Sequence, residues 1–343
     1  MTVYLVGNAP ADFDSPQGAG SALIFGHQSG GVQASPTNQG GCVTAVLGTG
    51  TGFEIDFSQP TSDFWITFYT ECSTRRDGND IFSLVDGNNI SLLRFVSVTD
   101  QTFRVELWNG SSYTTVITSI AFNPDTDPSR FDVKFKIHDT AGVIEVYKSD
   151  VLVGSYSGDT LLTASTAISR ARFKQWRGGN SSWTYVAFYS QILAMDTSTR
   201  GIEVIQEQPN AATTYAGQDS GGLTDINAVV PTTTVDTSKM VFSVADAKSA
   251  FTTTSMDTSY NTGWQVVSVI STARASRGTG SSISTVAPMV RTSTGVDAFA
   301  SPQTTTETLF KPHFSEFTVN PDTTSAWTVA EANAAAVGLR VAT

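Results

Sequence analysis

Charge is scarce in this chain. Only 15% of its 343 residues are Asp, Glu, Lys or Arg, and the balance is acidic, with a formal net charge of −11. A phosphate-binding surface needs clustered Lys and Arg. The basic runs present, Arg75-Arg76 and Arg170 to Lys174, are short and read as solvated strand or turn charge. Nucleic acid is therefore not an expected partner. Cysteine is nearly absent, and Cys42 and Cys72 alone make no disulfide framework. They could pair across a sandwich, whereas cytoplasmic synthesis would leave two reduced, buried thiols. The only histidines, His27, His138 and His313, lie far apart, and no His or Cys pair has zinc-ligand spacing. Long apolar runs are missing: none approaches the roughly 20 residues of a membrane-crossing helix, so no membrane span is expected. Met1-Thr2-Val3-Tyr4-Leu5-Val6 reads as a first strand rather than a secretory leader.

What remains is a succession of short alternating strands separated by Gly, Ser, Thr, Asn and Asp turns. Phe131, Val133, Phe135 and Ile137 fall on one face, and Asp132, Lys134, Lys136 and His138 on the other, the period of a half-buried antiparallel strand. This strand should pair with Val143 to Tyr147, and Lys148-Ser149-Asp150 should turn tightly into Val151 to Tyr156. Asn109-Gly110 is a hairpin signal behind Phe103 to Trp108. The apolar fraction of 40% is enough for packed cores, and the length suits two domains. The expected fold is all-β: two jelly-roll-like β-sandwich domains, residues 1–200 and 201–343, and one short C-terminal helix. In the second half, strands are expected at Met240 to Val244, Gly263 to Ile270, Ala287 to Thr292 and Thr306 to Phe310, with a flexible loop over Ser271 to Thr285. Thr328-Val329-Ala330-Glu331 has the form of a capping box opening a helix to about Ala336, with Gly338 as its cap and Leu339-Arg340-Val341 as a last strand.

The strand ending in Tyr147, its three-residue turn and Val151-Leu152-Val153 resemble a hairpin of the concanavalin-like, laminin-G-like sandwich family. The stretch Tyr189 to Asp196, followed by Thr197-Ser198-Thr199-Arg200-Gly201, resembles the end of such domains in phage structural proteins. Asn320-Pro321-Asp322-Thr323, Trp327-Thr328, Glu331, Asn333 and Gly338 resemble the C-terminal domains of phage tail and appendage proteins. The resemblance implies a non-enzymatic structural component of a tailed-phage virion: a tail fibre, a baseplate appendage or a capsid-surface decoration. It implies a virion location after synthesis in the host cytoplasm, a symmetric oligomer, by analogy a trimer, and other virion proteins as partners, with host surface glycan as an optional one. A hydroxyl-rich surface of low charge fits that setting. A stand-alone carbohydrate-binding, lectin-like module is the alternative reading, and a concanavalin-fold glycoside hydrolase a third.

The hydrolase reading rests on Glu54-Ile55-Asp56-Phe57. Similar glucanases carry Glu-x-Asp-x-x-Glu, or a form one residue shorter, on one strand, where alternation gathers the carboxylates. Glu54 and Asp56 match the first two acids, but Ser58 and Gln59 stand where the third should be. The expectation is therefore two solvent-facing acids and no enzyme. No cofactor is expected. Asp77-Gly78-Asn79-Asp80 and Asp86-Gly87-Asn88-Asn89 could supply oxygen ligands to calcium, although turn chemistry accounts for the same residues. Trp108 with Asn109, Trp176 and Trp183 lie near expected turns, where a flat ring can stack on a sugar and an amide can take its hydroxyls. Core or inter-subunit packing is the alternative for them. Trp65 and Trp264 are expected in the core, and Trp327 is expected to pack the helix onto its domain.

Overall fold

The structure is a computed structural model. It describes residues 1–7, 22–25, 43–46, 52–72, 80–99, 102–122, 129–161, 165–174, 186–204, 209–212, 246–253, 264–277, 284–305 and 311–342. Cys42, His27, Asp77 to Asn79, Trp176, Trp183, Met240 to Val244 and Thr306 to Phe310 lie outside these. The chain divides into two compact units, Met1–Val204 and Ile205–Thr343.

The first unit contains β1 (Val3–Gly7), β2 (Ala22–Phe25), β3 (Val43–Val46), β4 (Gly52–Thr61), β5 (Asp63–Cys72), β6 (Asp80–Val85) and β7 (Ser91–Thr99). It continues with β8 (Thr102–Trp108), β9 (Tyr113–Ala121), β10 (Ser129–Lys136), β11 (Gly142–Lys148), β12 (Val151–Gly158), β13 (Ile168–Lys174) and β14 (Val186–Met195). An eight-stranded sheet runs β12-β11-β10-β5-β14-β3-β2, with β1 also on β14, and a six-stranded sheet runs β4-β13-β6-β7-β8-β9. The pairings in both are antiparallel.

Period-two alternation builds the core between the sheets. Phe64, Ile66 and Phe68 of β5 face inward with Phe131, Val133 and Phe135 of β10, all fully buried. From the opposing sheet come Ile55, Phe82, Leu84, Phe95, Phe103, Val105 and Phe173. Phe68 joins the two layers, its ring 4.7 Å from that of Phe82 and 5.5 Å from that of Phe173. The expected pairing of residues 131–137 with 143–147 forms, from Phe131↔Lys148 to Lys136↔Val143. Ser149 and Asp150 both take positive φ, 47° and 66°, the backbone of a two-residue turn whose twist matches the strands. The Asn109-Gly110 signal sits in a four-residue loop, since β8 stops at Trp108 and β9 begins at Tyr113.

Several expectations about faces need correction. Asp132 lies on the face opposite Phe131 and Val133, yet it is fully buried. The segment after β14 folds over it: Oδ1 of Asp132 accepts from the Thr199 hydroxyl at 2.7 Å and from Arg130 at 3.0 Å. Arg130 also donates to the Thr67 hydroxyl and to the Thr199 carbonyl. Trp65 is not in the core. Alternation turns it away from Phe64 and Ile66, and it lies half-buried on the outer face, 5.7 Å from the Tyr147 ring.

The second unit holds β15 (Pro209–Ala212), β16 (Lys248–Thr253), β17 (Val269–Ala275), β18 (Thr285–Arg291), β19 (Asp297–Phe299) and β20 (Gln303–Thr304). β21 (Lys311–Phe317), α1 (Val329–Asn333) and β22 (Ala336–Ala342) follow. A sheet ordered β15-β16-β22-β18-β19, with β20 also on β18, is accompanied by the two-stranded ribbon β17-β21. Val290, Trp327 and Ala335 pack with Val269 and Phe317. The capping box forms as expected, with Thr328 and Glu331 satisfying each other's backbone N–H. Trp327 is buried and donates through Nε1 to the Phe317 carbonyl. Gly338 does not cap the helix. Ala334 does, and Gly338 lies mid-strand, where an added Cβ would stand 1.9 Å from the Ser249 carbonyl oxygen. Ser271 to Ala275, expected in a loop, are strand, and the Ser271 hydroxyl bonds the Gly338 carbonyl. Trp264 precedes β17 rather than lying in a strand, and it is 43% exposed.

Candidate functional site

The outward face of the six-stranded sheet carries a cluster of paired charges. Cross-strand register places Glu54 of β4 opposite Arg172 of β13, Arg172 opposite Ser83 of β6, Ser83 opposite Arg94 of β7 and Arg94 opposite Glu106 of β8. These five residues form one row across the sheet. Opposite charges at directly opposed positions attract, and alternation keeps them off the core side.

Each carboxylate in the row is held by two guanidiniums. Glu54 accepts from Arg172 and, at 3.1 Å, from Arg170. Glu106 accepts from Arg94 at 2.6 Å and from Arg104 at 2.5 Å. Arg94 also reaches Asp80 at 3.2 Å, and Arg170 stands 3.5 Å from Asp56. The arginines lie over the acids, leaving the side chains of Glu54 and Glu106 only 5% exposed. Arg172 extends the network to the Asn89 amide oxygen at 2.6 Å. The Ser83 hydroxyl, mid-row, is buried without a hydrogen-bond partner among the described residues.

Toward β9 the row meets aromatic side chains. The Arg94 guanidinium stacks 3.4 Å from the centre of the Tyr113 ring, and the ring of Trp108, the cross-strand partner of Tyr113, lies 5.0 Å from it, tilted by 59°. The Tyr113 hydroxyl donates to the Ser91 carbonyl. Burial pushes the Tyr113 phenol up from the usual tyrosine range, against the opposing pull of the Arg94 charge.

Trp108 and Asn109 are thus brought to one corner of this face. Trp108 is half-buried against the core, and Asn109 is exposed. The Asn109 amide oxygen accepts from the backbone N–H groups of Ser111 and Ser112, and its amide nitrogen donates to Ser112 and Thr114 hydroxyls. That side chain closes its own loop. Trp176 and Trp183 lie outside the described residues. The expectation that Glu54 and Asp56 both face solvent holds only for Asp56: Glu54 is buried beneath its two arginines. Arg170 and Arg172, read as solvated charge, are likewise half-buried and paired. Opposite-charge partners from distant strands cancel across this sheet, and those partners are set by register.

The row separates the two buried carboxylates. Glu54 and Glu106 are four strand steps apart, about 19 Å along the sheet at roughly 4.8 Å per step. Paired-carboxylate glycoside hydrolysis works over about 5 to 9.5 Å. In the Asp86-Gly87-Asn88-Asn89 turn, Asp86 accepts through Oδ1 from the N–H groups of Asn88 and Ile90 and through Oδ2 from the Ser165 hydroxyl. Among the described residues, no group of three His, Cys, Asp or Glu side chains gathers as a metal centre would. Cys72 ends β5, and Cys42 lies outside the described residues.

The fold and this face define an antiparallel, sandwich-built protein with an ion-paired outer sheet. No family model and no curated protein matches the chain. Among solved structures, it is similar to an endo-β-1,4-glucuronan lyase from the fungus Trichoderma reesei, at 10% identity and a TM-score of 0.42, over 57% of this chain and 94% of that one. It is similar to the T. cruzi calreticulin globular domain at 10% identity and a TM-score of 0.44, over 57% and 89%. A sialidase is matched at 14% identity and a TM-score of 0.35, over 46% of this chain, and the match spans only 16% of that protein's length. At such identities the likeness concerns chain path alone.

Proposed function

We propose that this chain is a non-enzymatic module that works by contact, a structural component of a tailed-phage virion whose sandwich faces join copies and touch the host surface. The observation that carries the non-enzymatic part is the outer sheet face. Its buried acids, Glu54 and Glu106, are each held by two arginines, and Asp56 stands beside Arg170, so the acids of this face are engaged in ion pairs. A chain of low charge, rich in uncharged hydroxyls, suits broad contact between subunits, and oligomers of this kind close by symmetry. The virion setting rests on the C-terminal pattern from Asn320 to Gly338. Mass spectrometry of purified particles, with a solution mass of the recombinant chain, tests the reading. The expected result is a particle-borne trimer, and a monomer absent from particles would overturn it.

A lectin-like role alone is the second reading, favoured by the placement of Trp108 at a loop-bounded corner of the sheet face. Saturable binding on a glycan array, lost in Trp108→Ala, would support it over a purely structural part. A hydrolase remains open to one assay: turnover of a β-glucan that disappears in Glu54→Gln.

A further inference from the structure

The second unit contains an arginine that pairs with no acid among the described residues. Arg340 of β22 stands directly opposite Lys248 of β16, a like-charged cross-strand pair. Arg291 shares their face, four residues along β18 from Ala287, the partner of Arg340. Asp297 of β19 accepts from Lys248 at 3.1 Å and from Arg291 at 2.8 Å. Arg340 meets no carboxylate among the described residues. Its guanidinium lies 4.3 Å from the centre of the Phe299 ring, which Lys248 also approaches, at 4.9 Å. Its Nε is buried without an acceptor. By contrast Arg94, Arg104, Arg130, Arg170, Arg172, Arg200 and Arg291 each meet a carboxylate.

A buried donor without an acceptor asks for a group the chain itself does not supply. We propose that Arg340, flanked by Lys248 and Phe299, anchors a binding site for a carboxylate-bearing sugar. A guanidinium fork matches a carboxylate through two parallel hydrogen bonds, which a neutral sugar cannot offer. The half-buried Phe299 ring supplies apolar surface beside it for the C–H face of a pyranose. A peptide ligand is less suited, because β19 at the sheet edge has only three residues, too few to template an added strand. A polyanion is less suited as well. Its charges beyond the cluster would meet a chain of net charge −11, whereas one carboxylate within a Debye length of about 8 Å feels mainly the local cations. The inference rests on the adhesive part of the function proposed above and names its ligand class.

The full chain is titrated by calorimetry with methyl β-glucuronide and with the methyl glycoside of N-acetylneuraminic acid, at low and at high salt, with methyl β-glucoside as the neutral control. At least one acidic sugar should bind about tenfold or more tightly than the glucoside, more weakly at high salt, and Arg340→Gln should erase that preference. Arg340→Lys should keep part of it. Should Arg340→Gln fail to fold, Lys248→Gln must weaken the same preference. Equal binding of acidic and neutral sugars, no binding of either acid, or a preference untouched by these variants overturns the site. Particle incorporation and subunit number are measured separately, so a particle-borne trimer without acid-sugar preference removes this site and leaves the structural role standing.

Discussion

Replacing Asp132 by alanine tests how the first unit is fastened at its end. The carboxylate is fully buried on the outer side of β10, where it accepts from Thr199 at 2.7 Å and from Arg130 at 3.0 Å. Alanine would leave the Thr199 hydroxyl buried without its acceptor, a loss of about 1–3 kcal/mol. It would also strip Arg130 of its counter-ion. Breaking a buried ion pair from one side costs about 3–5 kcal/mol. Arg130 is 17% exposed and keeps its bonds to Thr67 and the Thr199 carbonyl, so the lower end applies and the two effects overlap. The net expectation is a loss of about 3 kcal/mol. For a unit spanning Met1–Val204 this lowers its melting temperature by about 6–12 °C. Asp132→Asn retains an acceptor for Thr199 but also removes the Arg130 counter-ion, so it should lose less than alanine, about 2 kcal/mol. Scanning calorimetry and urea unfolding of the full chain give both values, and a cycle with Thr199→Val isolates the coupling between the two residues. A loss below about 1 kcal/mol for alanine, or equal losses for alanine and asparagine, would refute the argument that the post-β14 segment is held by this carboxylate.

Other consequences are separable. Gly338→Ala forces a methyl group within 1.9 Å of the Ser249 carbonyl, so β16 and β22 must part; the second unit should lose about 3 kcal/mol or more, visible as early melting of its transition. Tyr113 should ionise later than a free tyrosine in an ultraviolet titration, as should Tyr147, and Tyr113→Phe should reduce the amplitude of that late step by one tyrosine. Because the folded value is raised, the associated stability is complete below about pH 10 and declines as pH rises through the higher folded value. Thr328→Ala removes one half of the capping box and should cost about 1 kcal/mol, measured on the second unit's transition.

Legibility of the fold followed the range of the interaction that decides it. Phe131, Val133 and Phe135 were readable as core because alternation is local. The Ser149-Asp150 turn and the Thr328–Glu331 capping box were readable because each is closed within four residues. Glu54 was misread because its burial comes from Arg170 and Arg172, more than a hundred positions away in the chain. The burial of Asp132 is invisible for the same reason, its cover being Thr199. Trp65 and Trp264 both fall in apolar stretches that read as core strands, but the register of β5 turns Trp65 to the sheet surface, and Trp264 lies before β17, outside any strand. Gly338 looked like a helix cap because it follows one, whereas its need for no side chain arises from the closeness of a neighbouring strand's backbone.

The linear order of residues determined, by itself, that the chain is all-β, short of charge, and built from hairpins whose apolar alternation must face a shared interior. Those properties depend on neighbours one to four positions apart and on composition. Tertiary structure alone decided which acids meet which arginines, where Trp108 and Asn109 come to rest, and that Arg340 meets no carboxylate among the described residues. Such pairings are fixed by strand order and register, quantities that residue-by-residue periodicity does not contain, because the same alternating strand can be laid beside any partner that completes its hydrogen bonds.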